Sequence, residues 1–330
     1  MAAQAGSAVR LFDQQPGAAD AARQALSETW QKLVDKNKLD AGQRSAMLDR
    51  LGCVGEMSAL SSCDLVVEAI VERLDVKQKL FSDLEAILPE SAVLATNTSS
   101  LSVTAIGAAL KRPGRLAGFH FFNPVPLMRV VEVIAGLKTE AVVCQQLSEF
   151  AHQFGHTAVS AQDTPGFIVN HAGRGYGTEA LRVAGERVAD FATIDRVLKD
   201  QMGFRLGPFE LMDLTALDVS HPVMESIYRQ YYDEPRYRPS VITAQRLAGG
   251  VVGKKVGEGF YTYSEGVAQI PVEPPVPEVA ALPPVWVSPK AARRAELYQL
   301  LKTLGASIET AQAPSAAALI LVAPLGLDVT

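Results

Sequence analysis

Apolar residues recur along this chain in two alternating rhythms. Ala8–Asp13 (AVRLFD) reads as a strand. Ala18–Val34, which follows Pro16, carries Ala22, Leu26, Trp30 and Leu33 near a 3.6-residue period and reads as a helix. Asp64–Ile70 (DLVVEAI) is an apolar run of the kind that fills a strand buried on both faces. Val76–Leu88 is helical, Ala92–Thr96 a strand, Val103–Leu110 a short helix and Arg115–His120 a strand. Arg129–Ile134 reads as another strand, Glu140–Phe154 as a helix and Thr157–Ser160 as a last strand. This alternation implies a parallel α/β sheet wrapped on both sides.

After Thr164-Pro165-Gly166 the pattern changes. Phe167–Asp200, Pro208–Tyr232 and Ile242–Leu247 are mostly helical, with no convincing strand between them, so a separate all-α domain is expected. It ends near Gly257-Glu258-Gly259-Phe260-Tyr261. The proline-rich stretch from Pro271 to Pro289 reads as a semi-rigid linker. Beyond it Val285–Val287, Ala291–Leu304 and Ala317–Val322 read as strand, helix and strand, too little to bury much surface alone. The expected domains are therefore 1–163, 164–263, a linker at 264–283 and a partial α/β extension at 284–330.

Composition narrows the classes. A length of 330 residues fits about two domains. A chain that is 48% hydrophobic and 20% charged is of the ordinary globular kind. The net charge of -5, without a basic run, sets nucleic-acid binding aside. Three cysteines, Cys53, Cys63 and Cys144, lack paired spacing and argue against disulfides or a zinc site. His152 and His156 are four apart but without the glutamate of a zincin motif, and no metal is expected. No apolar run is long enough to span a membrane, and no basic region opens the chain, so a cytoplasmic protein is expected.

The chemistry-bearing residues concentrate between Asn97 and Glu132. His120 ends a strand among Phe119, Phe121 and Phe122; a lone histidine there is more often simply packed. Glu132 changes that balance. It stands in Val130-Val131-Glu132-Val133-Ile134, where a carboxylate is costly unless paired or on an exposed edge. Pro124 and Pro126 exclude a helix between the two, so strand–turn–strand geometry can set them side by side. A histidine held by a carboxylate has a fixed tautomer and a stabilised protonated form. Ser99 follows a strand at its carboxyl end, where ligands of open α/β sheets bind. Ser102 is the better helix cap and leaves Ser99 free. Asn170 lies just inside the helical domain, where its amide can face the cleft. Lys32, Lys36 and Lys38 form a basic cluster, read either as a solvated face or as a landing site for an anionic handle.

Asp13 closes the first visible strand. An acidic residue there suits the ribose hydroxyls of NAD; the alternative is a turn before Pro16. In a dinucleotide fold the glycine-rich phosphate loop lies about 20 residues upstream, which falls before Met1. Gly6 reads instead as the cap of a helical turn at Met1–Gln4. The expectation is thus a sheet lacking its first strand and Gly loop, in a chain cut at its start and, by its unfinished extension, at its end. Weak or no NAD binding by this polypeptide is expected from that reading.

At these residues the chain resembles the L-3-hydroxyacyl-CoA dehydrogenase family. The pieces are NTSSLSVT at Asn97–Thr104, GFHFFNPVPLMRVVEV at Gly118–Val133, DTPGFIVN at Asp163–Asn170, GPFELMDLTALD at Gly207–Asp218 and GKKVGEGFY at Gly253–Tyr261. NHAGRGYGTEAL at Asn170–Leu181 is similar to the longer bacterial catabolic members, including those of phenylacetate and fatty-acid breakdown. The resemblance implies a Rossmann-type domain, a helical dimerisation domain and NAD-linked oxidation of a 3-hydroxyacyl-CoA to the 3-oxo compound. It implies His120 as general base, Glu132 as its orienting partner, and Ser99 and Asn170 on the substrate oxygens. It places Asp13, Glu72, Lys77, Ser99, Asn123 and Lys255 at cofactor-binding positions, and Thr29 and Lys36 where the family contacts CoA. A second expectation, from another class, is a non-catalytic binding or structural module built on the same fold.

Overall fold

The computed structural model describes residues 1–273, 275 and 282–323, which fall into two compact units, Met1–Ile270 and Pro271–Thr330. The first unit opens with a turn at Met1–Ala5. It closes at Gly6, whose φ of 104° suits glycine, with Ser7 N–H on Ala2 O at 3.0 Å and Gly6 N–H on Ala3 O at 3.4 Å. This is the cap expected from the sequence. Strand β1 (Val9–Leu11) and helix α1 (Ala18–Asp35) follow, then α2 (Ala41–Asp49) and β2 (Leu51–Cys53), which pairs parallel to β1. Trp30, Met47 and Leu51 pack this corner.

The main sheet has the order β3-β4-β5-β6-β7, formed by Leu65–Glu68, Val93–Thr96, Leu116–Phe121, Val130–Ala135 and Thr157–Gln162. Helices α3 (Leu74–Ile87), α4 (Val103–Gly107) and α5 (Ala141–Gln153) connect its strands. One cluster around Phe81, Leu94, Ile106 and Ile134 fills one side of the sheet, and one around Ala117, Phe119, Val133 and Leu147 the other.

This is the Rossmann-like layering expected from the sequence, with two differences. β1 and β2 form their own two-stranded sheet. The main sheet is parallel except at β5–β6, which is antiparallel. The link from Phe122 to Arg129 is too short for a parallel crossover, which needs a dozen or more residues.

The helical part contains α6 (Val169–Ala172), α7 (Arg174–Gly185), α8 (Phe191–Arg196), α9 (Pro208–Thr215), α10 (Leu217–Gln230) and α11 (Val241–Ala248). Its core gathers Leu181, Phe209, Met212, Leu217, Met224 and Phe260. Asp213 binds it to the GEGFY segment. Its carboxylate accepts from Phe260 N at 2.8 Å, Tyr261 N at 3.0 Å and Tyr263 Oη at 3.0 Å.

The part ends on a hairpin, β8 (Thr262–Ser264) with β9 (Val267–Gln269), where a strand-free domain and then a linker from 264 were expected. Gly266 at φ 77° lets that turn close with a residue in the left-handed region. Residues 274 and 276–281 of the expected linker lie outside the described residues. In the second unit β10 (Val285–Val287) is flanked by β11 (Ile308–Glu309) and β12 (Leu319–Leu321), all parallel, with α12 (Arg294–Thr303) between. The strand at β11 adds to the expected pattern; residues 324–330 lie outside the described residues.

Candidate active site

The site forms where the main sheet meets the helical part. The antiparallel register of β5 and β6 sets His120 directly opposite Glu132. His120 Nδ1 and Glu132 Oε2 are 2.6 Å apart, with His120 5% exposed and Glu132 fully buried. The other oxygen of Glu132 accepts Ile168 N–H at 2.9 Å and Val169 N–H at 3.0 Å. Burial pushes this carboxyl up, but the His120 bond and the two N–H donors outweigh it and hold it below the usual carboxylate range. The His120 ring lies between Phe122, at 4.6 Å, and Phe167, at 5.8 Å. With Nδ1 committed to the carboxylate, Nε2 is the nitrogen left to exchange a proton.

The same turn that supplies Ile168 and Val169 carries Asn170. Its Nδ2 donates to Ser99 O at 3.3 Å, across from the loop after β4. That loop wraps the Glu72 carboxylate. Oε1 accepts from Thr98 Oγ1 at 2.7 Å, Ser99 N at 2.8 Å, Ser100 N at 3.0 Å, Ser100 Oγ at 3.1 Å and Ser99 Oγ at 3.3 Å. Burial raises the Glu72 carboxyl, yet the Thr98 hydroxyl, Lys77 and the Ser99 N–H lower it more, and the net shift is downward. Lys77 Nζ sits 3.2 Å from Glu72 and 2.6 Å from Glu68 Oε1, and is 1% exposed. Glu68 Oε2 in turn accepts from Thr96 Oγ1 at 2.7 Å. Two carboxylates thus share one buried ammonium, which fixes the loops beyond β3 and β4.

A continuous hydrogen-bonded path therefore runs from His120 through Glu132, the 168–170 turn and Ser99 to Glu72 and Lys77. Of the residues singled out from the sequence, it joins His120, Glu132, Ser99, Asn170, Glu72 and Lys77. Ser102 caps α4 as expected, accepting from Ala105 N at 3.1 Å. Asp13 lies outside the path; its side chain accepts Gln15 N–H at 2.8 Å in a turn. Asn123 is exposed in the β5–β6 link, beside the cis bond to Pro124. Lys255 pairs with Asp218 on the helical part. Thr29 and Lys36 are exposed on and just beyond α1.

Three groups in the site went unnoticed in the sequence. Asn97 Oδ1 accepts Phe121 N–H at 2.8 Å and locks the ends of β4 and β5 together. Asp163 accepts from Ser102 Oγ, Val103 N and Thr104 N at 2.7–2.8 Å. Gln230 Nε2 donates to Ser100 O at 2.8 Å and ties α10 to the Glu72 loop. Asn97 and Asp163 open two of the quoted motifs, NTSSLSVT and DTPGFIVN, which was the signal available.

Comparison with known proteins bears on this geometry. Residues 1–164 match the 3-hydroxyacyl-CoA dehydrogenase NAD-binding domain model, and residues 166–263 the C-terminal domain model of the same name. The 3-hydroxyadipyl-CoA dehydrogenase of Escherichia coli is 42% identical over 80% of this chain; the match spans 55% of that protein's length. A probable 3-hydroxybutyryl-CoA dehydrogenase of Deinococcus radiodurans is 37% identical over 80% of this chain and 94% of its own. Among solved structures, a 3-hydroxybutyryl-CoA dehydrogenase from E. coli superposes with TM-score 0.80 at 40% identity, covering 85% of this chain and 58% of that one. The (S)-3-hydroxybutyryl-CoA dehydrogenase of Ralstonia eutropha gives 0.77 at 33% identity, covering 80% and 93%. The chain belongs to the 3-hydroxyacyl-CoA dehydrogenase family.

Proposed function

We propose that this protein interconverts a (S)-3-hydroxyacyl-CoA and the 3-oxoacyl-CoA using NAD, with His120 and Glu132 as its proton-transfer pair. The observation that carries this reading is the buried 2.6 Å contact of His120 Nδ1 with Glu132. In the oxidation direction, His120 Nε2 takes the proton of the 3-hydroxyl. Glu132 holds the ring in the productive tautomer and stabilises the imidazolium that forms. In the reverse direction the imidazolium returns that proton to the carbonyl oxygen. The Asn170 amide, with one N–H held on Ser99 O, keeps its other N–H as a donor for the substrate oxygens, and the Ser99 hydroxyl joins it by turning from Glu72, which retains four other donors.

Several residues present suit the ribose and nicotinamide parts of NAD; the weak binding expected from the sequence concerns its pyrophosphate. Ile70 and Val71, 41% and 61% exposed just beyond β3, offer an apolar face beside Glu72 and Lys77. Asp13 offers a carboxylate for ribose hydroxyls, and Asn123 and Lys255 are further polar contacts. NAD, when bound, supplies the hydride acceptor. We assign the exposed Thr29 and Lys36 to contacts with the CoA moiety.

Acyl-chain breakdown is the metabolic setting this reading supports, phenylacetate catabolism included, in the cytoplasm. A homodimer through the helical part is supported by its exposed apolar side chains, among them Val188, Val197, Met202, Phe204 and Leu214. Sedimentation should give twice the monomer mass; a monomer at micromolar concentration contradicts the dimer. For activity, acetoacetyl-CoA should drive NADH oxidation by the protein. No turnover above buffer, from a folded sample, contradicts the enzymatic reading and favours a non-catalytic binding module.

A further inference from the structure

Two consecutive residues at the end of α10 each grip the neighbour of a proposed substrate-oxygen donor. Gln230 Nε2 donates to Ser100 O at 2.8 Å, one residue from Ser99. Tyr231 Oη meets His171 Nδ1 at 2.9 Å, one residue from Asn170. Asn170 Nδ2 in turn donates to Ser99 O at 3.3 Å. These contacts close a ring that runs from Ser99 through Ser100, Gln230, Tyr231, His171 and Asn170 back to Ser99. Its members come from three segments, and the contacts span 130, 60 and 71 residues of sequence.

Both limbs of the ring are braced. The Gln230 amide is fixed on its own helix by Ser226, one turn back, whose Oγ lies 2.9 Å from Nε2. On the other limb His171 is held twice, because Tyr237 Oη meets its Nε2 at 3.4 Å. The rings of His171, Tyr231 and Tyr237 pack with centroids 4.8–5.5 Å apart. Helix α10 comes this close because residue 166 is glycine. A Cβ there would stand 2.9 Å from Ile227 Cδ1 and 3.0 Å from His171 N, and the φ of 80° also suits glycine.

We infer that Gln230 and Tyr231 are positioning residues, which set the spacing of the Ser99 and Asn170 donors around the substrate oxygens. This rests on the dehydrogenase reaction and the donor roles proposed above. The direct Asn170–Ser99 contact is long for a hydrogen bond and alone is a weak tie between two loops. The end of α10 supplies the second constraint that a donor pair needs to stay in register. Misplacing a reacting group by about 1 Å can cost about 10²-fold in rate, so this clamp acts on turnover without either side chain touching substrate.

The test follows acetoacetyl-CoA reduction by NADH, at a temperature well below every Tm, for the full chain and its variants. Tyr231→Phe removes one hydroxyl and keeps the ring packing; Gln230→Leu removes the amide donor. Each should lose roughly 10-fold in kcat/KM, chiefly in kcat, which is about the worth of one hydrogen bond. Tyr231→Phe is then repeated in Asn170→Ala, and Gln230→Leu in Ser99→Ala. Both backgrounds keep His120 and Glu132 and so a measurable rate. There each change should cost less than about twofold, because the donor it positions is gone. A full further loss in those backgrounds shows that the residues act elsewhere and overturns the inference. Unchanged kcat/KM in either single variant overturns it too, and a fall in Tm without loss of kcat identifies a purely structural contact. Wild-type turnover with insensitive variants defeats this inference alone, whereas no turnover by the wild type defeats the dehydrogenase reading beneath it.

Discussion

At the scale of single residues, the account turns on a carboxylate in an apolar strand. Glu132 was legible because Val131 and Val133 leave no reason for a charge there, and because two prolines exclude a helix between it and His120. Its second role was not legible. Only folding brings Ile168 and Val169 to its other oxygen, 36 and 37 residues downstream. The folded pKa of Glu132 is depressed, so its contribution to stability is present above the unfolded value, about 4.3, and is lost as pH falls through the lower folded value. Glu132→Gln should therefore be less stable than wild type near neutrality, and the gap should narrow in acid. The same variant should lower kcat more than it raises KM. Chemical denaturation across pH, with steady-state kinetics, checks both; a pH-independent gap contradicts the linkage.

At the scale of elements, position follows from caps and turns. Helices α1, α3 and α5 announced themselves by period and length, and all lie within a few residues of expectation. α2 and β2 did not. α2 is nine residues with Gln43 and Arg44 in its first turns, and β2 has Gly52 at its centre, so neither carries a strong rhythm. The capping box of Asp40 with Gln43 was the readable signal for α2. α4 is short and depends on its cap. Asp163 satisfies two of its N–H groups and the Ser102 hydroxyl from 59–61 residues away, which also fastens the 163–170 turn to the Ser99 loop. Asp163→Ala should cost about 1–2 kcal/mol and raise KM through a looser Ser99. Unfolding and kinetic measurements together test this; unchanged KM with lowered stability leaves Asp163 a cap with no influence on the site.

At the scale of the molecule, the proposed catalytic path belongs wholly to the Met1–Ile270 unit and collects at one end of the main sheet, where loops after β3, β4 and β5 meet the first turn of the helical part. The order of strands was readable only in outline. The antiparallel β5–β6 pair, which sets His120 opposite Glu132, follows from a link too short for a crossover. The separate β1–β2 sheet and the terminal hairpin had no comparable signature. The central claim is that this pair transfers the substrate proton, and one measurement tests it most directly: kcat for acetoacetyl-CoA reduction by NADH, for wild type and His120→Gln, with Tm recorded for each. The account predicts a loss of about 10²–10⁴-fold, the usual worth of a positioned general acid–base group, at a Tm near that of wild type. A variant that turns over within a few-fold of wild type would contradict it.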